Sequence, residues 1–349
     1  MGAGAVRPRT VRGLVSLTVL GLVLGLGACG SGDTPGPQAS STETPATAEA
    51  PPANPLAGAQ LWLDPRSTAE KAAEGLRRSG DTATADALAP ITSQPVASWF
   101  SGQQDNPYEE AERVTSAAAA AGQLPVLVAY HRPQRDCGSY SAGGSDDATS
   151  YLAWVGQLAA GIGDRRAVVV LEPDAVAQTV SGACGDNGVD YGMLAQAVDV
   201  LSQQPGVLVY VDAGHAGWIE DLDDLAGALR DSGIERADGF SLNVSNFQTT
   251  ADSVAYGERL SALLDGAQFV VDVSRNGRGA PAGAEGTAAW CNPPEAALGE
   301  NPRVVEEAAY AVALLWIKEP GASDGDCHPG EPRAGAFWPE YAQRLINQR

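Results

Sequence analysis

Short apolar runs rich in β-branched residues recur along the chain at Val96–Phe100, Pro125–Tyr130, Ala167–Leu171, Val207–Val211, Gly239–Leu242, Phe269–Val273 and Leu314–Lys318. Between them lie longer stretches, Asp105–Ala121, Tyr151–Ile162, Tyr191–Gln203 and Ala251–Leu264, in which Ala and Leu return at helical spacing. Continuous apolar runs of this length read as strands covered on both faces, and strands that alternate with helices pair in parallel. The pattern therefore predicts an α/β fold, a closed or nearly closed barrel with the helices as its outer ring; a doubly wound sheet suits the same periodicity.

Upstream of the first strand the pattern changes twice. Residues 1–28 carry Arg7, Arg9 and Arg12 and then an apolar run from Leu14 to Ala28. That run is too short for a membrane span with ordinary flanks and reads as a lipoprotein signal peptide. It ends Leu26-Gly27-Ala28-Cys29, similar to a bacterial lipobox, so Cys29 is the expected lipidation site. Residues 29–55 are rich in Ser, Thr, Pro and Ala and, up to Pro55, offer no large apolar side chain, which describes a flexible tether rather than a core. Residues 56–349 remain as one folded domain.

Charge and cysteines narrow the compartment and the partners. With 43 acidic against 22 basic residues and no basic stripe, the chain is unsuited to nucleic acid or to an anionic membrane surface, so a membrane is met only through the lipid anchor. Cys29 is the odd one of five cysteines; Cys137, Cys184, Cys291 and Cys327 form an even set in an exported domain, which predicts two disulfides with three pairings open. A zinc site lacks C-x-x-C spacing, and His131, His215 and His328 are far apart, so no metal is expected. The expected product is an exported protein, secreted or held at the cell surface, and a monomer.

The chemistry concentrates in Val128–Gly144, VAYHRPQRDCGSYSAGG, where a strand ends on Tyr130 and the loop carries Arg135, Asp136 and Cys137. Other carboxylates also follow strands: Asp174 in LEPD, Asp212 in VYVDAGH, Asp272 in VVDVSRNG and Asp324 in PGASDG. Singly, each could be a helix cap or a solvated loop residue. Several facing one rim raise one another's pKa, which is useful where a proton must be carried near neutral pH. Around them stand Trp99, Trp218 and Trp290, flat faces of the kind that cover the apolar side of a sugar ring, whereas Trp62, Trp154, Trp316 and Trp338 read as packing residues.

Tyr130-x-x-Pro-x-Arg-Asp-Cys-Gly, Glu172-Pro173-Asp174 and Pro320-Gly321-x-Ser323-Asp324-Gly325, in this order, resemble glycoside hydrolase family 6, the inverting cellulases. The resemblance runs from Leu61-Trp62-Leu63-Asp64-Pro65 through Trp316-Ile317-Lys318 and implies a distorted TIM-like barrel of about seven parallel strands, with no cofactor. It implies Asp174 as general acid, Asp136 as the residue that raises the acid's pKa and organises water, Asp324 as the usual candidate base, and Tyr130 beneath the sugar at the cleavage point. It makes Trp99, Trp218 and Trp290 sugar platforms, Lys318 a hydroxyl ligand, and Asp212, His215 and Asn246 further substrate-binding positions. The implied disulfides are Cys137 with Cys184 and Cys291 with Cys327. Ala322 stands where the family usually has a substrate-contacting glutamate, and the loops Ala142-Gly143-Gly144 and Asn292-Pro293-Pro294 also depart from common forms.

The expected activity is hydrolysis of internal β-1,4 bonds of cellulose or a related β-glucan with inversion, because the loops after Asn276 and Asn292 are short for a tunnel roof. The alternatives are a cellobiohydrolase of the same family and a glucan-binding surface lipoprotein of weak activity.

Overall fold

The computed structural model describes residues 52–102, 106–284, 286–307 and 309–349. The signal segment, Cys29, most of the tether and the first residue of the helix expected from Asp105 lie outside the described residues. The strands are β1 (Ser98–Phe100), β2 (Val126–Ala129), β3 (Ala167–Leu171), β4 (Val207–Asp212), β5 (Gly239–Leu242), β6 (Gln268–Asp272), β7 (Arg303–Val304) and β8 (Ala311–Leu315). They form one sheet in the order β1-β2-β3-β4-β5-β6-β8-β7. Every pairing is parallel except that of β7, a two-residue edge strand lying antiparallel on β8. The sheet curls until its first and penultimate strands meet: Ala97 N–H donates to Trp316 O at 2.9 Å, and Trp99 Nε1 donates to Ile317 O at 2.8 Å. The doubly wound alternative is thereby ruled out, since its sheet stays open.

The helices are α1 (Thr68–Arg78), α2 (Thr82–Ala87), α3 (Ala89–Thr92), α4 (Pro107–Ala120), α5 (Ala148–Ile162), α6 (Ala175–Val180), α7 (Tyr191–Leu201), α8 (Leu222–Asp231), α9 (Thr250–Leu263) and α10 (Pro339–Asn347). Four of them match the Ala- and Leu-rich stretches; α5 is a typical case, opened by Asp147 and Ser150 in a reciprocal capping box. The short α6 was invisible to periodicity because six residues hold fewer than two turns.

Strand parity sorts the core. Leu127, Val169, Val209, Phe240 and Val271 point outward to the helices, while Val128, Val168, Val170, Tyr210 and Val270 pack with one another inside the curl. The same alternation brings Tyr130, Asp212, Ser241 and Asp272 to the inner side at the carboxyl ends of their strands. One expected strand shifts: the apolar run 314–318 contributes only its beginning to β8, because the amides of Ile317 and Lys318 turn to the Asp272 carboxylate, at 3.3 and 2.9 Å, instead of continuing the ladder.

Candidate active site

Backbone strain marks where the loops leave the sheet. Asp136, Cys137, Glu172 and Asp174 all take positive φ, 55°, 48°, 48° and 70°. Such conformations cost energy in non-glycine residues and persist only where the surroundings enforce them. For Asp174 the enforcement is visible. Its N–H donates to Asp212 Oδ1 at 2.9 Å, and Asp212 also accepts from Gly214 N at 3.0 Å and from Ser241 Oγ at 2.8 Å. Asp174 stands at the start of α6 but its side chain caps nothing, so the helix-cap reading fails, and no described residue donates a hydrogen bond to its carboxyl.

Those contacts decide where a proton rests. Burial, followed by the charges of Asp212 and Asp136, pushes the Asp174 carboxyl well above the ordinary carboxylate range, with Arg132 and Lys318 pulling the other way. Burial pushes Asp212 up as well, but three donors favour its ionised form and Asp174 has none. The proton shared by this pair therefore sits on Asp174. Asp212, expected as a substrate ligand, is fully buried, and its Oδ1 accepts from the backbone of Asp174. Asp272 is likewise no rim carboxylate: it is buried beneath the amides of Ser245, Ser274, Ile317 and Lys318.

Asp136 is held by its own loop, near enough for its charge to raise Asp174. Its Oδ2 accepts from Ser141 N at 2.8 Å, and its Oδ1 from Gln178 Nε2 at 3.1 Å, a residue of α6. Gln178 Oε1 in turn accepts from the buried guanidinium of Arg132 at 2.9 Å. Arg135 braces the same loop, donating to the carbonyls of Ser101, Tyr130, Ser141 and Ala142, with its guanidinium 4.9 Å from the Tyr130 ring centre. The Cys137–Cys184 disulfide ties the loop to the segment after α6, and Cys291–Cys327 ties the loop after β6 to that after β8. Within the same loop Gly144 is required sterically: a Cβ there, at φ +97°, would fall 1.8 Å from Arg132 O.

On the opposite wall Asp324 is buried between two cations, 2.8 Å from Arg275 Nη1 and 3.0 Å from Lys318 Nζ, and accepts from Asn292 N at 3.0 Å. Burial alone would raise its pKa; Arg275 and Lys318 outweigh that and hold the carboxylate below the usual range. Tyr130 lies between the walls, edge-on to Trp99 at 5.4 Å between ring centres. Burial, reinforced by Asp174 and Asp136, pushes its phenol up, so it stays protonated.

A cavity of about 420 Å³ takes in Tyr130, Trp99, Tyr140, Lys318 and Ala322. Trp290 joins Tyr140 edge-on at 5.7 Å, across from Gly325, whose place a Cβ could not share with Tyr140. Trp218 is not among the residues lining this cavity; it packs over Gly214, with His215 at 5.5 Å between ring centres, and burial drops the His215 imidazole to about 4, so it is neutral. Asn246 is half-buried in the loop after β5 and accepts from Phe247 N. The grouping with metal-ligand geometry among the described residues, Cys291, Cys327 and Glu331, uses the two sulfurs of a disulfide.

Sequence reasoning missed Glu172, Arg132, Gln178 and Arg275. Glu172 is buried two residues before Asp174, accepts from His131 N at 2.8 Å, and is pushed by burial to about 7. Its place in Glu-Pro-Asp was a signal; Arg275, three residues past the strand-end Asp272, offered a weaker one.

The sequence profile of glycosyl hydrolases family 6 matches residues 56–349. Endoglucanase A of Cellulomonas fimi is 44% identical over 74% of the chain, which spans only 55% of that relative. Endoglucanase 1 of Streptomyces halstedii is 38% identical over 86% of the chain and 94% of its own length. Relatives named exoglucanases match at 27 to 28% identity. The endoglucanase Cel6 of Mycobacterium tuberculosis, solved with methyl-cellobiosyl-4-deoxy-4-thio-β-D-cellobioside, superposes with a TM-score of 0.76 at 40% identity, covering 85% of this chain and 99% of that one.

Proposed function

The chain belongs to glycosyl hydrolases family 6, and from that premise we propose that it hydrolyses internal β-1,4 bonds of cellulose or a related β-glucan with inversion at the anomeric carbon. The observation that carries the reading is Asp174, a carboxyl kept protonated by burial and by the charges of Asp212 and Asp136, without a hydrogen-bond donor of its own, close enough to the cavity-lining Tyr130 to raise its phenol.

Breaking the acetal needs a proton on the leaving oxygen and a water on the opposite face. Asp174 donates that proton. Asp136 keeps the acid protonated through its charge and orients water from its braced loop. Asp324 remains ionised between Arg275 and Lys318; a carboxylate with a lowered pKa is a weak proton acceptor, so its part is to stabilise positive charge on the ring and to anchor a chain of waters along which the proton of the attacking water passes to solvent. Tyr130 underlies the reacting sugar, with Trp99, Trp218 and Trp290 as platforms for neighbouring rings and Lys318, His215 and Asn246 as polar contacts; Asp212 acts through Asp174. A proton donor, an ionised carboxylate and water complete this chemistry without a cofactor.

The endo reading is supported by the identity of the chain to sequence relatives named endoglucanases, 34 to 44%, against 26 to 28% for those named exoglucanases or cellobiohydrolase. Two disulfides suit an oxidising compartment, in keeping with a signal at 1–28, lipidation at Cys29, the tether 29–55 and a monomeric catalytic domain at the cell surface.

Proton NMR of cellotetraose or longer cello-oligosaccharides with the chain from Pro52 onward tests this. Early α-anomer product, absent with Asp174→Ala, is expected; β-anomer product, or unchanged activity in the variant, would refute it.

A further inference from the structure

We infer that the end of the cleft beyond Trp99 is a subsite for a carboxylate carried by the glucan, so that the enzyme favours an acidic, sugar-carboxylate-bearing substrate; this rests on the glucanase reading above. The cavity that holds Tyr130, Trp99 and Lys318 runs outward to Arg66, Lys71 and Arg333. At about 420 Å³ it falls within the range that holds a small ligand, roughly 300–1,000 Å³.

Its charge runs against that of the chain. Six cationic and three acidic residues line it, in a protein of net charge −21. The acidic ones are engaged: Asp64 and Glu110 lie 3.0 and 2.6 Å from Arg113, and Glu319 accepts from Ala69 N at 2.7 Å. Two of the cations are engaged as well, Lys318 with Asp324 and Arg135 with backbone carbonyls. Arg66, Lys71 and Arg333 remain. Each is exposed, and none makes an ion pair or side-chain hydrogen bond with another described residue; Arg66 and Lys71 act on Glu110, and Lys71 on Glu319, only through space. Ala322 leaves the adjoining wall uncharged.

Unpaired like charges around one concavity concentrate anions, and guanidinium groups offer a carboxylate two parallel donors. A neutral glucan would leave these cations solvated and idle. A glucan bearing carboxylates would gain their attraction while its unsubstituted rings reach Trp99 and Tyr130.

The test compares kcat/KM on carboxymethylcellulose and on hydroxyethylcellulose of matched substitution, for the parent and for R66Q/K71Q/R333Q, at low and high salt. The replaced side chains are exposed and unpartnered, so the variant should melt with the parent. The anionic-to-neutral ratio is expected to fall about 3- to 10-fold in the variant, the size of one or two exposed charge contacts. Salt should lower the ratio in the parent and barely move it in the variant. An unchanged ratio, with both polymers still cut, would overturn the anionic subsite and leave the glucanase standing. Failure of the parent to cut either polymer would overturn both.

Discussion

Replacing Arg275 by Met tests whether the charge arrangement around Asp324 is what the fold depends on at this wall. Arg275 is fully buried; its Nη1 lies 2.8 Å from Asp324 Oδ2, its Nη2 donates to Ser245 O, and its guanidinium is 4.5 Å from the Phe247 ring centre. Methionine keeps much of the volume and removes the charge, leaving Asp324 with Lys318 and the Asn292 amide. Two charges about 4 Å apart at an effective dielectric of about 20 attract by about 4 kcal/mol. Removing one partner of a buried pair costs roughly 3–5 kcal/mol, because the other is left uncompensated. A loss of about 4 kcal/mol is therefore expected at pH 7, measured by urea unfolding.

The pH dependence separates this cause from simple loss of packing. In the parent, Asp324 has a depressed pKa, so it contributes stability above its unfolded pKa and loses it as pH falls through the folded pKa. In the variant, burial dominates and the pKa rises, so the carboxylate costs stability at neutral pH. That cost should shrink by about 1.4 kcal/mol for each pH unit below the variant's folded pKa, down to the unfolded value. Adding Asp324→Asn should restore part of the loss at pH 7. A deficit below about 1 kcal/mol, or one of equal size at pH 4.5 and pH 7, would refute the reasoning.

Other consequences follow from the same contacts. Asp136→Asn removes a charge that raises the Asp174 pKa, so the acid should lose its proton earlier and the alkaline limb of kcat/KM should move to lower pH; initial rates on cello-oligosaccharide across pH read this directly. Gly144→Ala must displace the Arg132 carbonyl and hold φ near +97°, so a loss of at least about 1–3 kcal/mol in thermal unfolding, with weakened activity, is expected. The pair Cys137→Ser and Cys184→Ser, 47 residues apart, should cost up to about 4 kcal/mol in urea unfolding, with activity falling further than stability alone explains because Asp136 adjoins the bridge.

The carboxyl ends of the strands were legible because apolar runs with β-branched residues have few other places to go, and loops that leave them must carry whatever polar chemistry the domain has. Tyr130, Asp136, Asp174 and Asp324 stood out on that ground. Asp212 and Asp272 also ended strands, but strand parity turns both inward, where backbone amides and Ser241 consume their oxygens. Their roles depend on neighbours in other strands and could not be read locally. Gln178 and Arg132 were obscured for the same reason: they are 46 residues apart and become partners only when α6 packs under the loop after β2.

By itself the sequence determined the alternation of strand and helix, the cysteine count, the acidic balance and the motif residues, since hydrophobic period and residue type are local properties. The tertiary structure alone decided that the sheet curls until Ala97 meets Trp316, that the proton rests on Asp174 rather than Asp212, and that Arg275 and Lys318 keep Asp324 charged. Each of these depends on burial and on charges brought together across long stretches of chain, and a carboxylate's proton affinity is set by that surrounding field and not by its place in the sequence.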